Sequence, residues 1–357
     1  MPKIIPFNGI RYNSKNISNY ICPPYDVISP SQKKELLGRS IYNAVKIELP
    51  ENYSSAKENF DKWKGEGCLL KEKLPSLYLY EQSFKYKGKK YIRTGFFALL
   101  KTEKLGKSIF PHEKTHSGPK IDRFNLLKVT KINTSPIFCL FSDKKNIFYS
   151  ISNRIKEKKP TSIAKLSETS EKVWAINDMK IINILKKMLD NNKILIADGH
   201  HRYETFYKFT KGGYVLTFLS PFNDRGLLIL PTHRLLKDIT KKEIKNISKY
   251  FKTSKDWDFK FYFKKCFIDV KTAKKNKDIP IKYLHSTILK NKEVNYTKDE
   301  REAVEKVDSG EFAVAVILKP MDIKDLEFVV KKKILLPQKS TYFYPKVSTG
   351  VVFNELD

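Results

Sequence analysis

ILIADGHHRYETFYKF, Ile194–Phe209, decides how this chain is read. The apolar run Ile194-Leu195-Ile196 predicts a short buried strand, and the aromatic and charged residues from Tyr203 to Phe209 suit a helix. A strand that turns through Asp198-Gly199 into a helix makes an anion site. The first backbone N–H groups of a helix have no intrahelical partner, and the helix dipole adds partial positive charge there. His200, His201 and Arg202 put three more donors into the same turn. The competing reading is a hairpin turn with solvated polar side chains. Two adjacent histidines and an arginine at a helix start favour the phosphate-ready reading.

The 357 residues suffice for one large domain or two ordinary ones, and 41% hydrophobic and 13% aromatic content can build a real core. No apolar run approaches the roughly 18–20 residues of a membrane span. The start, MPKIIPFNGIRYN, lacks the apolar stretch of a secretory signal, so the expected location is the cytoplasm. Cys22, Cys68, Cys139 and Cys266 are scattered without CxxC spacing, which argues for thiols in a reducing compartment and against structural zinc. The net charge of +30 has two readings, a nucleic-acid surface or lysines spread over every solvated face. Lysine pairs such as Lys33-Lys34, Lys89-Lys90 and Lys264-Lys265 recur along the whole chain without an arginine-rich arm or an RNA-binding motif. The second reading is therefore preferred, and a nucleic-acid partner is not expected. A positive field would still attract a small phosphorylated ligand.

Hydrophobic periodicity predicts a mixed α+β chain. Cys22–Pro30 (CPPYDVISP) reads as a rigid loop, followed by a helix over Ser31–Leu37 with serine at its start. Helices are also expected at Tyr53–Lys64, Asn125–Lys131 and Ile181–Leu189. Leu77–Lys85 and Tyr91–Leu100 flank Tyr86-Lys87-Gly88 as a hairpin. Pro136–Phe141, Tyr214–Leu219 and Gly226–Leu230 read as strands, and residues 144–176 as a polar, variable surface region. After Leu235 the composition shifts to lysine and aspartate. Helices are expected near Lys241–Phe251 and Lys298–Asp308, and strands near Asp258–Phe263 and Lys282–Leu289. Phe312–Leu318 suits a strand and Ile323–Val330 a helix. The expected organisation is a main α+β domain over residues 1–236, a smaller α/β subdomain over 237–330, and a segment, 331–357, that returns to the main domain. Neither an internal repeat nor a coiled coil is visible.

Five segments concentrate ionisable or turn-forming residues: PPYDVIS, HEKT through IDR, ADGHHRYE, PTHR and PQKST. Five of the six histidines lie in three of them (His112, His116, His200, His201 and His233), while His285 falls on an alternating stretch and reads as structural. Adjacent His200 and His201 cannot both face one point from a helix, and His112 and His116, though spaced i,i+4, precede Gly118-Pro119. A dedicated transition-metal site, haem or flavin is not expected. Mg²⁺ arriving with a nucleotide needs only one or two carboxylates, for which Asp198, Asp26 and Glu113 are candidates. The GxSxG elbow, the Walker A loop and the GxGxxG fingerprint are all missing from the sequence.

PPYDVIS, HEKT with GPK and DR, SPIF, LFSD, ADGHHRYET, LPTHR and PQKSTYFYPK occur in order. Together they closely resemble a family of bacterial and archaeal proteins catalogued as a domain of unknown function, over essentially the whole chain. Gly199–Thr205 (GHHRYET) is more distantly similar to the box of the ParB and sulfiredoxin-like superfamily, which includes free-serine kinases with an Asp-Gly-His version. That similarity implies a mixed sheet whose strand–loop–helix holds nucleotide phosphates, to which the composition after Leu235 adds a second α/β subdomain. It also implies a phosphotransferase acting on a free amino acid or similar hydroxyl substrate, serine first, with a nucleotide or pyrophosphate donor. Gly199, His200, His201, Arg202 and Glu204 would then hold phosphates. Asp198, His200, His201, Glu113 and Asp26 are the catalytic candidates, with Asp198 or Glu204 on Mg²⁺ or acting as base and Glu113 or Asp26 as the alternative base. His112, Lys114, Arg123, His233, Arg234 and Lys339 are candidates for the substrate. The alternatives are a ParB-like nucleotide-binding regulator without turnover and a small-molecule phosphatase. Asp26 as a helix cap, Asp122-Arg123 as a surface pair and Gln338-Lys339-Ser340 as a turn are the plain structural readings of those positions.

Overall fold

The structure, a computed structural model, describes residues 1–113, 118–272 and 279–356. The chain forms two compact units. One comprises Met1–Pro111, Thr115–Leu227 and Pro345–Asp357, the other His112–Lys114 and Leu228–Tyr344.

The first unit is built on a nine-stranded mixed sheet. Its order is Ile109–Phe110, Ile194–Asp198, Ile137–Phe141, Tyr214–Pro221, Lys89–Lys101, Leu77–Tyr86, Thr169–Ile176 and Ser162–Lys165, with Ile4–Ile5 also paired to Lys89–Lys101. Ile194–Asp198 runs parallel to Ile109–Phe110, and Tyr214–Pro221 parallel to Ile137–Phe141; the other pairs are antiparallel. The long hairpin turns at Lys87 and Gly88, both with positive φ, the backbone twist that two-residue hairpins demand.

Because side chains alternate along a strand, the sheet has two distinct faces. One carries Leu77, Leu79, Phe96, Ala98, Ile137, Cys139 and Ile196, packed on Phe148 and Ile155 of the helix Ile147–Lys156 and on Ile182, Leu185 and Leu189 of the helix Met179–Asp190. The alternate residues make the second face. Glu171, Gln82 and Arg93 are register partners across it, and so are Phe97, Phe218, Phe138 and Asp198, with Arg93 and Phe97 on one strand. That face is where charge collects.

The second unit holds a six-stranded antiparallel sheet, in the order Phe251–Thr253, Cys266–Thr272, Phe259–Phe263, Val314–Leu318, His233–Leu236 and Asn295–Thr297. Val314, Val316, Leu318 and Phe261 pack against Ile247, Leu284 and Val329 of three helices, Lys241–Tyr250, Pro280–Ser286 and Ile323–Lys331. Leu235, Ala315 and Ile317 pack on Ala303 and Val307 of the helix Glu300–Asp308. A separate pair joins Leu228–Leu230 to Tyr342–Tyr344. The α+β class predicted from the sequence is the class observed. Among the described residues no helix is long and apolar enough to cross a membrane.

Four local expectations are corrected. Lys282–Leu289 is not a strand: Pro280–Ser286 is helical, because Ile281, Leu284 and Ile288 are spaced as a helix stripe and all three are buried. The helix placed at Asn125–Lys131 begins at Gly118, spans Gly118–Thr130 and takes in Ile121-Asp122-Arg123. The first helix is capped by Ser29, not Ser31, through a reciprocal capping box with Gln32. Residues 144–176, expected as a polar surface region, hold the helix Ile147–Lys156 and two strands of the large sheet, Ser162–Lys165 and Thr169–Ile176. Thr169–Ile176 is a full strand whose Thr169, Glu171 and Val173 alternate inward while Ser170 and Lys172 face out.

Candidate functional site

Ile194–Ala197 is buried and runs straight into the glycine turn, with the sheet register shifting between Ile196 and Asp198. Gly199 has φ +87°, a left-handed conformation that glycine alone adopts without strain, and its carbonyl accepts the first helical bond from Tyr203 at 2.9 Å. The helix His200–Thr210 is anchored through Tyr203 and Phe206, both in the aliphatic core. The strand and helix thus fix a turn whose side chains are aimed by the scaffold.

Asp198 and Arg202 form an i,i+4 ion pair at 2.6 Å across that turn, and Arg202 also donates to the Pro136 carbonyl at 2.5 Å. Lys346 donates to the other Asp198 oxygen and lies 3.8 Å from Asp26. Burial by itself would raise the Asp198 carboxyl, but Lys346 and Arg202 outweigh it and hold the group well below the usual carboxylate range. Asp26 moves the opposite way. Crowding by protein atoms raises it, Lys346 opposes, and the Asp198 charge adds to the rise. Its side chain nonetheless keeps 40% exposure, whereas Lys346 keeps 10%. Burial would lower the Arg202 guanidinium, and Asp198 with Asp26 reverses this.

Two frames position these groups. Tyr25 of the PPYD loop donates its backbone N–H to buried Glu48 at 3.1 Å, and Glu48 also accepts from Ser135. Arg123 lies 4.2 Å from the Tyr25 ring centroid, bonds the Glu48 carbonyl at 2.9 Å and pairs with Asp122 at 2.6 Å. The second frame is the strap Pro345–Thr349. Arg93 donates to the Pro345 carbonyl at 2.6 Å, Gln82 to the Lys346 carbonyl at 3.1 Å, and Ser348 to Glu171 at 2.7 Å. Arg93, Gln82 and Glu171 are all buried on the polar face of the sheet, so they hold the strap's backbone while Lys346 reaches Asp198.

The structure therefore brings together Asp26, Asp198, Gly199 and Arg202, with His200 and His201 on the first turn. Glu204, one turn on, pairs with Lys120. Arg123 supports the Tyr25 loop from beside the cluster. Of the remaining candidates, His112, Glu113, His233, Arg234 and Lys339 belong to the second unit, and Lys114 and His116 lie outside the described residues. Glu113 accepts from the backbone N–H of Lys339 and of Thr341, each at 2.8 Å, and His112 meets the Thr341 hydroxyl at 2.7 Å. Sequence reasoning missed Lys346, Arg93, Gln82 and Glu171. Lys346 was within reach: it closes the PQKSTYFYPK block from which Lys339 was chosen.

Among the described residues no group of three or more His, Cys, Asp or Glu could hold a metal ion. The position between Asp198 and Asp26 where a divalent cation would be shared is taken by the Lys346 ammonium, so this pair does not fit Mg²⁺.

These features define a mixed α+β protein with a charged cluster at a glycine-led helix start. The chain belongs to the DUF1015 family, described as proteins of unknown function, whose profile matches residues 4–308. Among solved structures it is similar to a mutant of free serine kinase in complex with AMP (12% identity, TM-score 0.43, covering 70% of this chain and 86% of that one). It is also similar to SbnI with a C-terminal truncation from Staphylococcus aureus (9%, 0.44, 70% and 84%) and to a conserved hypothetical protein from Pyrococcus furiosus (14%, 0.41, 71% and 92%). At these identities and TM-scores the likeness assigns no ligand to this chain. No curated protein matches it.

Proposed function

We propose that the cluster of Asp26, Asp198, Arg202 and Lys346 is the phosphoryl-transfer site of a cytoplasmic small-molecule kinase. The acceptor is a free amino acid or similar hydroxyl compound, serine first, and the donor a nucleotide or pyrophosphate. One observation carries the reading: two carboxylates share one lysine, and their environments push them in opposite directions. Asp198 stays ionised and anchors Lys346 and Arg202. Asp26, exposed and raised, is suited to take the hydroxyl proton as the acceptor oxygen bonds to phosphorus and the bond to the leaving phosphate breaks. The opening turn of the helix, Gly199 to His201, offers its backbone N–H groups and dipole to the donor's phosphates, and Lys346 lies beside them to offset charge in the transition state.

The test is direct. The protein is incubated with ATP, ADP or pyrophosphate and serine, and O-phosphoserine is followed by ³¹P NMR. Turnover is expected with one donor. Asp26→Asn is expected to lower kcat by about 10²–10⁴-fold, the usual contribution of a general base, while donor affinity is retained. Absence of both product and donor binding in the wild type overturns the assignment.

A further inference from the structure

Arg234 sits in the strand His233–Leu236, opposite Tyr296 on one side and Val316 on the other. Its side chain is wholly buried at the margin of the apolar core formed by Val316 and Leu284. Nη1 donates to the Thr232 carbonyl, Nε donates to His285 Nε2 at 3.3 Å, and Nη2 has no acceptor among the described residues. Among the described residues no carboxylate lies within ion-pair distance of it. Glu113 pulls on its charge, but the Glu113 oxygens hold the Lys339 and Thr341 backbone.

The surroundings do not neutralise this cation. Burial first, and Arg234 second, push His233 down to about 4 and His285 down to about 3, so both rings are neutral at physiological pH. His233 Nδ1 accepts from the Leu318 backbone at 3.2 Å and His285 Nε2 accepts from Arg234, so both rings serve as acceptors. The Tyr296 ring lies 5.4 Å from the Arg234 guanidinium and 5.1 Å from the Lys339 ammonium, and its hydroxyl meets Gln338 at 3.4 Å. A buried guanidinium without a counter-ion is among the costliest features a fold can carry, and an oxyanion removes that cost by accepting from Nη2.

We infer that the second unit carries an oxyanion site at Arg234, where a phosphate or carboxylate oxygen accepts from Nη2 and Lys339, against the same Tyr296 ring, adds positive charge. This site is independent of the phosphoryl-transfer reading of the first unit. It is tested by calorimetric titration of the full chain with inorganic phosphate and, separately, with acetate, in the wild type, Arg234→Met, Arg234→Lys and Lys346→Met. The wild type and Lys346→Met are expected to bind one of the two anions at this site, and the anion that binds identifies the oxyanion as phosphoryl or carboxylate. Arg234→Met and Arg234→Lys are each expected to weaken that binding tenfold or more, the lysine variant because it loses the forked donor. In anion-free buffer Arg234→Met is expected to melt no lower than the wild type. Binding of neither anion to the wild type overturns the inference, as does undiminished affinity in whichever Arg234 variant folds.

Discussion

Arg202, half-buried, and Arg234, wholly buried, both close short histidine-bearing motifs, DGHHR and PTHR, yet their electrostatic settings are opposite. Arg202 has Asp198 at 2.6 Å and the influence of Asp26, and its guanidinium is raised. Arg234 has a histidine, a carbonyl and an aromatic ring, and burial drives it down to about 10. The difference teaches that burial alone does not define a site. Arg202 is a compensated charge whose first task is to hold Asp198 in place, so its capacity for an incoming phosphate is shared. Arg234 is an uncompensated charge with a donor to give. Removing one partner from a compensated buried pair should be costly, while neutralising an uncompensated charge should not.

The largest effect is therefore expected at Asp198. Asp198→Asn keeps the shape and removes the charge that both Lys346 and Arg202 face. The first unit should lose about 3–5 kcal/mol, the cost of leaving buried charge unpaired. Urea unfolding followed by hydrogen exchange of the sheet strands measures it for that unit alone. A loss below about 1 kcal/mol would place the pair in effectively solvated surroundings and dissolve the contrast with Arg234.

How much of this was legible beforehand follows from chain distance. The strand–glycine–helix turn could be read because its parts are contiguous: an apolar run, a glycine where φ must be positive, then the donors. Asp26 was a candidate because PPYD is dense in turn chemistry. Lys346 was not singled out, since it meets Asp198 only through a strap 148 residues further on. Arg93, Gln82 and Glu171 were hidden for another reason. On separate strands they look like solvated polar positions, and only the sheet register places them on one buried face. The misread helix at Pro280–Ser286 shows the same limit locally, because a short apolar run fits both periods until packing chooses one.

The second contrast is in pH. His233 and His285 are both depressed, to about 4 and about 3, by burial and by Arg234, with Asp299 opposing at His233. Their unfolded value is 6.5, so below that pH the unfolded chain takes protons that the folded chain refuses. Stability from these rings is fully present above pH 6.5 and is lost as pH falls towards 4. The slope is up to about 1.4 kcal/mol per pH unit for each ring. Melting of the second unit should fall across that window, and His285→Gln should flatten the dependence. A melting temperature constant from pH 7 to 5 would show that the rings are solvated.

The smallest expected effect bears on Arg202 itself. Gly199→Ala puts a Cβ on a residue with φ +87° and brings it to 3.1 Å from the Arg202 guanidinium. The left-handed backbone alone costs about 1–2 kcal/mol for a residue with a side chain. The close approach falls on the far end of a long side chain, which can shift by a few tenths of an ångström, so the added steric cost should be small. What should change is the 2.6 Å contact with Asp198, which lengthens as the guanidinium is pushed aside. Donor affinity in Gly199→Ala should then drop further than its modest stability loss would suggest, because the helix start and the ion pair that frames it move together. Equal, small losses in both quantities would mean that Gly199 matters only for its backbone.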